Sequence, residues 1–101
     1  MKKIIVAVAL TLVGMNSAFA DAKANYQASC FACHGTGYAA APQLGDKAAW
    51  KARIAQGNAT MYDHAIKGFQ GKTGFMPAKG GSQLSDADVK AVVDYMVANS
   101  K

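Results

Sequence analysis

The sequence Cys30-Phe31-Ala32-Cys33-His34 contains both cysteines of the 101-residue chain, with a histidine directly after the second. Three uses of such a thiol pair fit the rest of the sequence poorly. A disulfide across two residues would close so short a loop that it would remove little chain entropy. A thioredoxin-like pair follows a strand, whereas residues 21–29 have a helical pattern. Structural zinc takes four ligands, and His64 is the only other histidine or thiol available.

A fourth use is covalent attachment of haem, in which each thiol adds to one vinyl group. One helical turn between the cysteines matches the separation of the vinyl groups, and the adjacent imidazole can reach the iron. The C-x-x-C-H motif is specific for this attachment. We therefore predict that Cys30 and Cys33 bind haem and that His34 is an iron ligand.

The first 20 residues have the pattern of a secretory signal. Lys2 and Lys3 precede an apolar run that is too short to span a bilayer comfortably, and Ala18-Phe19-Ala20 forms an A-x-A cleavage pattern. We expect residues 1–20 to be removed and residues 21–101 to form one periplasmic domain. That mature chain has no second hydrophobic stretch, so it is not expected to be embedded in a membrane.

The charge of the expected mature chain is modest. Nine basic side chains face six aspartates, giving a net charge of +3. This balance, without an aromatic-interleaved basic patch, argues against nucleic acid as a partner. Six of the bases and only one acid lie between Lys47 and Lys79. Such a segment could attract an acidic partner, or it could be an ordinary solvated surface.

The hydrophobic pattern predicts an all-α domain of about four helices. Asp46 and Ser85 are candidate N-caps, and Thr60 with Asp63 resembles a capping box. A glycine-rich loop, 68–81, precedes the last helix, and no period-two strand pattern occurs. The predicted helices cover residues 21–33, 46–56, 61–67 and 85–98, and the last has an apolar stripe formed by Val89, Val92, Val93, Met96 and Val97.

Met76 is the strongest candidate for a second iron ligand. It lies in the sequence Gly74-Phe75-Met76-Pro77-Ala78-Lys79-Gly80-Gly81, where glycines would let the loop pass close to a flat macrocycle and Pro77 would stiffen it. A gap-filling methionine in a flexible loop is the alternative. The other candidates are Met61, Met96 and His64. Met96 suits the core better, and an exposed position is the commoner outcome for His64.

These features together resemble the class I c-type cytochromes, and among them the small bacterial cytochrome c5 group. The resemblance extends over residues 21–101 and includes the final helix. An extra cysteine pair that many c5 proteins carry is absent from 80–83. The matching segments are Tyr26, CFACHGTG from Cys30, Pro42-x-Leu44-Gly45-Asp46-x-x-x-Trp50, the Met76 loop and LSDADVKAVVDYMV.

The resemblance implies a small cytochrome c fold wrapped around one covalently bound haem c. It implies that His34 and Met76 are the axial iron ligands. The Pro42 carbonyl would accept a hydrogen bond from the His34 ring, and Trp50 and Arg53 would lie near the haem propionates. For Trp50, simple packing in the core is the alternative. An apolar shell would surround the haem, formed by Leu44, Trp50, Ile54, Ile66, Phe69, Phe75 and Val93.

The implied function is single-electron transfer in a periplasmic respiratory chain, without catalysis. Two axial protein ligands leave no open iron position for a substrate. The expected partners are redox proteins that dock transiently, such as a quinol-linked donor and a terminal oxidase or reductase as acceptor. A small haem enzyme or a haem-based sensor remains the alternative, and either would require Met76 to dissociate.

Overall fold

The computed structural model describes residues 20–101, so nearly all of the predicted signal segment lies outside the described residues. Five helices account for most of this part of the chain. The described part of helix α1 covers residues 20–29. The others are α2 (Phe31–His34), α3 (Lys47–Ala55), α4 (Asn58–Lys67) and α5 (Asp86–Ala98).

The thiol motif interrupts the first helical segment, which was expected to be continuous over 21–33. Cys30 has φ −121° and ψ −21° and separates α1 from α2. The backbone nevertheless keeps helical hydrogen bonds, since the His34 N–H donates to the Cys30 carbonyl at 3.0 Å. The break therefore lies at the first cysteine, and α2 ends at His34 with Gly35 as its C-cap.

Helix α4 begins earlier than the sequence pattern predicts. Gly57 is its N-cap, with φ 96° and ψ 156°, and the helix starts at Asn58. The predicted capping box is therefore wrong, because Thr60 already lies inside the helix. Asp63 instead pairs with Lys67 on the exposed face, at 3.0 Å.

Both other predicted caps are confirmed. The Asp46 carboxylate accepts a hydrogen bond from the Ala49 N–H at 3.2 Å at the start of α3. The Ser85 hydroxyl accepts one from the Asp88 N–H at 3.1 Å at the start of α5. Each side chain satisfies a backbone donor that the first helical turn leaves unpaired.

The glycine-rich segment is more ordered than the expected loop. Strands β1 (Phe69–Gln70) and β2 (Phe75–Met76) pair antiparallel, with Phe69 opposite Met76. A 3₁₀ turn follows over Ala78–Gly81, and another covers Tyr38–Ala40. Two-residue strands are too short to produce the alternation that sequence reasoning detects.

The core lies where α4 and α5 pack together and α1 meets α5. The predicted stripe of α5 is confirmed, because Val89, Val92, Val93 and Met96 are buried. At the α1–α5 crossing, the Tyr26 and Tyr95 rings lie 5.6 Å apart between centroids. Over residues 20–101, no helix has both the length and the apolar character needed to cross a membrane.

Candidate functional site

His34 is fixed by backbone groups from the segment that follows it. The side chain is 8% exposed, and its Nδ1 lies 2.8 Å from the Pro42 carbonyl oxygen. The Leu44 N–H donates to the His34 carbonyl at 2.8 Å. These two hydrogen bonds fold residues 35–44 back over α2 and set the orientation of the imidazole ring.

The electrostatic surroundings of His34 favour the neutral imidazole. Burial lowers the pKa of His34, and the nearby charge of Arg53 lowers it further, against an opposing effect of the hydrogen bond to Pro42. With Nδ1 donating to that carbonyl, Nε2 carries the free lone pair. Among the described residues Nε2 has no hydrogen-bond partner, so it is available to coordinate a metal.

Cys30 and Cys33 are free thiols, both partly buried. Burial raises the pKa of the Cys30 thiol, and Cys33 adds to the effect. No disulfide joins them in the described structure. Residues 20–101 also contain no group of three or more His, Cys, Asp or Glu side chains that could hold a metal ion. Neither the disulfide nor the zinc arrangement therefore has support in the described structure.

Cys30 and Met76 line the same cavity, although they are far apart in sequence. The rest of its wall is mainly apolar and comes from α4, α5 and the residue two positions before α5. It includes Ala65, Leu84, Val89, Val92, Val93 and Met96. Lys79 also lines the cavity and pairs with Asp86 at 2.9 Å. Sequence reasoning assigned Lys79 to a basic surface and missed this position.

Gly68 brings the backbone around Met76 close to the end of α4. Its φ is 89°, and a Cβ there would lie 3.0 Å from the Ala78 nitrogen and 3.1 Å from the Met76 carbonyl oxygen. This glycine therefore permits a contact between two stretches of backbone. Approach to a macrocycle was the expected reason for the glycines, and at this position the structure provides a different one.

Trp50 packs beside His34, with ring centroids 6.1 Å apart. The side chain is 4% exposed, and its Nε1–H donates to the Gln43 carbonyl oxygen at 2.9 Å. That donor is therefore already engaged within the protein. Arg53 is exposed, and its guanidinium donates to the Ala49 carbonyl at 2.6 Å. The sequence did not reveal that the Gln43 carbonyl accepts from Trp50, because every residue has a backbone carbonyl and the side chain at 43 gives no sign of its role.

The other ligand candidates have different surroundings. Met61 and Met96 are buried in the core cluster. His64 is half-buried and stacks on the Phe69 ring at 3.9 Å, so the expectation of an isolated exposed histidine is wrong. Phe69 and Phe75, which were expected in an apolar shell, are 43% and 56% exposed in the described chain.

Comparison with known proteins gives the family. The family model described as cytochrome c oxidase, cbb3-type, subunit III matches residues 17–96. Cytochrome c-555 of Chlorobaculum tepidum is 53% identical over 97 residues, which cover 92% of this chain and 90% of that protein. The chain is a class I c-type cytochrome. It belongs to the family of the matching model, and its one-electron chemistry comes from a covalently bound haem c.

Further relatives agree with this assignment. Cytochrome c5 of Azotobacter vinelandii is 40% identical over 70 residues, covering 66% of this cytochrome and 80% of that one. The cytochrome c in a solved electron-transfer complex with nitrite reductase is 34% identical, with a TM-score of 0.72 over 80% of this chain and 95% of that one. The all-α cytochrome c fold and the electron-carrier function are thereby confirmed. The resemblance to the c5 group is also confirmed, and it extends to the c-555 proteins.

The residues of the site fit a covalently bound haem. Two free thiols lie at the two ends of one helical turn, and an imidazole with a free Nε2 follows directly. The cavity beside Cys30 has a mainly apolar wall and also contains the Met76 thioether. Thiol, imidazole and thioether groups are the side chains that hold c-type haem and its iron.

Proposed function

We propose that this cytochrome is a periplasmic single-electron shuttle with His/Met-ligated iron. Cys30 and Cys33 would form the thioether bonds, and His34 Nε2 and the Met76 sulfur would be the axial ligands. The observation that carries this proposal is the shared placement of Cys30 and Met76 in one apolar cavity. His34, one helical turn after Cys30, has its Nδ1 bonded to the Pro42 carbonyl, which leaves Nε2 as the coordinating nitrogen.

The surroundings of the proposed ligands suit electron transfer. The hydrogen bond from Nδ1 to the Pro42 carbonyl would hold the ring in one tautomer and make Nε2 a more basic ligand for the iron. A thioether ligand stabilises the reduced iron and raises the reduction potential. Trp50 would act by packing against His34, because its N–H is already bonded to the Gln43 carbonyl.

A shuttle without catalytic activity requires that neither axial position opens during turnover. A protein ligand on each side of the iron leaves no site for a substrate. Addition of carbon monoxide to the reduced protein tests this point. Slow or absent binding is expected for a carrier, whereas rapid binding would favour an enzyme or a gas sensor with a dissociable Met76.

Export underlies the proposed periplasmic location. The signal pattern of residues 1–20 supports it, since covalent haem attachment through a C-x-x-C-H motif accompanies export. Purification from the periplasm, followed by a visible spectrum and a mass measurement, tests cofactor and cleavage together. The expected mass is that of residues 21–101 plus one haem, and a protein that retains residues 1–20 would contradict the cleavage site.

Transient docking to acidic redox partners is the proposed mode of interaction. The segment from Lys47 to Lys79 is strongly basic. Two of its lysines, Lys67 and Lys79, form ion pairs, and over residues 20–101 none of its other bases does. A cytochrome of related structure forms an electron-transfer complex with nitrite reductase, which supports docking to a redox enzyme. The proposed partners are a quinol-linked donor and a terminal oxidase or reductase as acceptor.

Ionic strength tests this docking mode. Because exposed charges are screened within about 8 Å at physiological salt, the transfer rate to a negatively charged partner is expected to fall as salt rises. A flat or rising rate would exclude electrostatic steering. Replacing Lys47 and Lys51, which lie one turn apart on α3, with glutamine should reduce the salt dependence and leave the visible spectrum unchanged.

A further inference from the structure

The two loops that flank the site touch each other through residues that are not part of the cavity wall. Strand β2 packs against the 3₁₀ turn Tyr38–Ala40. Gly74, directly before β2, lies against the Ala39 carbonyl and the Ala40 side chain. A Cβ at residue 74 would lie far inside van der Waals distance of the Ala39 carbonyl oxygen and 3.1 Å from the Ala40 Cβ. The contact therefore exists only because residue 74 has no side chain.

The conformation of Gly74 shows that space is what this glycine provides. Its φ lies outside the left-handed region, unlike those of Gly68 and Gly80. An alanine could therefore adopt the same backbone angles without strain. Only the closeness of the Ala39 carbonyl makes a side chain at this position unfavourable.

The partner turn holds an uncommon conformation. Ala39 and Ala40 have φ of 56° and 63°, in the left-handed region that residues with a Cβ rarely occupy. Strained residues of this kind persist where the surrounding structure over-determines them. Local hydrogen bonds contribute, since the Thr36 hydroxyl donates to the Ala32 carbonyl at 2.7 Å and accepts from the Tyr38 N–H at 3.2 Å. The turn is thus anchored to the haem-attachment motif.

The contact lies two residues from a proposed functional group on each side. Pro42, whose carbonyl accepts the hydrogen bond from His34, lies two residues after Ala40. Met76 lies two residues after Gly74. We propose that the contact between the Ala39 carbonyl and Gly74 positions Met76 opposite His34 and keeps the methionine side of the iron closed. This inference rests on the proposed ligation by His34 and Met76.

Gly74→Ala in the haem-loaded protein tests the contact. The added Cβ must push β2 away from the turn, so Met76 should dissociate more often. Because carbon monoxide binds only the open fraction, its association rate with the reduced protein should rise about tenfold or more. The sulfur-to-iron absorption should weaken and the reduction potential should fall. Gly71→Ala is a milder comparison in the same loop, since its Cβ would lie 3.3 Å from the Gly74 carbonyl oxygen and would not have Ala39 or Ala40 among its nearest neighbours. It should change the carbon monoxide rate less than Gly74→Ala does.

A pair of substitutions at residue 39 tests the same contact without changing residue 74. Ala39→Pro cannot keep φ near 56°, because the proline ring fixes φ near −65°, so the Ala39 carbonyl must move. This variant should raise the carbon monoxide rate as Gly74→Ala does. Ala39→Gly keeps the carbonyl and relieves the left-handed strain, so its spectrum, potential and carbon monoxide rate should match the parent protein.

The outcomes separate this inference from the proposed ligation. Met76→Ala in the same series should lose the sulfur-to-iron absorption completely. If it does, and Gly74→Ala and Ala39→Pro both keep the parent rate and potential, the positioning role is wrong and the ligation stands. If Met76→Ala leaves the spectrum unchanged, the ligation itself is wrong. Should Gly74→Ala fail to fold, the comparison of Ala39→Pro with Ala39→Gly decides.

Discussion

The two sides of the proposed iron site are built in different ways. On the histidine side, the groups lie close together in sequence and are held by defined hydrogen bonds. His34 donates to the Pro42 carbonyl at 2.8 Å, and its own carbonyl accepts from Leu44 at 2.8 Å. The buried Trp50 ring packs against the imidazole. Burial and hydrogen bonds together leave His34 little freedom to rotate.

On the methionine side, backbone contacts replace side-chain hydrogen bonds. Met76 lies in a two-residue strand and is only half-buried. The following turn includes Lys79, Gly80 and Gly81 at positive φ. This segment is fastened by the ion pair of Lys79 with Asp86 and by glycines that let backbones meet. The comparison indicates that the methionine side opens more readily than the histidine side.

Removal of both thiols should have the largest effect, because it affects the two sides equally. Cys30→Ser with Cys33→Ser prevents covalent attachment, and the apolar side chains around Cys30 and Met76 would lose the macrocycle against which we propose they pack. The purified chain should be colourless and should lose most of its helical circular dichroism. A double variant that keeps the parent spectrum in the far ultraviolet would show that the polypeptide folds without haem.

Single ligand substitutions should reveal the difference between the two sides directly. Met76→Ala should keep the covalent haem, lose the sulfur-to-iron absorption and lower the reduction potential, because a soft thioether ligand stabilises Fe(II). His34→Ala should block maturation or give high-spin iron. Visible spectra and haem content of the two variants check this. Equal haem yields with similar spectra would contradict the asymmetry.

Much of the histidine side could be predicted because its signals are local. The motif from Cys30 to His34 specifies the chemistry within five residues, and the caps at Asp46 and Ser85 follow from single side chains. The hydrogen bond to Pro42 was expected from the family resemblance. The Gln43 carbonyl escaped prediction because any residue supplies that acceptor.

The methionine side was predicted less completely, for a physical reason. Met76 itself stands out between glycines and Pro77, but the ladder β1–β2 has only two residues a strand and no detectable periodicity. The contact of Gly74 with Ala39 joins two backbones that are distant in sequence. Neither composition nor spacing encodes such a contact. The glycines were therefore expected to make the loop flexible, whereas Gly68 and Gly74 are sites where two backbones pack closely.

Gly68→Ala should destabilise the methionine side more than Gly57→Ala destabilises the start of α4. Both glycines have nearly the same backbone angles, with φ 89° and ψ 160° at Gly68 and φ 96° and ψ 156° at Gly57. An alanine held at these positive φ angles is strained by about 1–3 kcal/mol in either variant. Only at Gly68 would the new Cβ also crowd the Met76 carbonyl and the Ala78 nitrogen.

Thermal unfolding and the sulfur-to-iron absorption together measure this difference. Gly57→Ala should lower the melting temperature and leave the absorption intact. Gly68→Ala should lower the melting temperature further and weaken the absorption. Equal absorption in the two variants would show that crowding at residue 68 does not reach Met76, and that the methionine side is stiffer than its contacts indicate.

Trp50→Phe should have the smallest effect and should act only on the histidine side. Phenylalanine keeps an aromatic ring beside His34 but removes one of the two donors to the partly buried Gln43 carbonyl, which keeps its bond from the Asp46 N–H at 3.0 Å. The loss of one hydrogen bond should cost about 0.5–1.5 kcal/mol. Chemical unfolding should show this loss, while the sulfur-to-iron absorption and the carbon monoxide rate should remain at parent values. A change in either would mean that disturbance of the His34 side spreads to Met76, and the two sides would then not be independent.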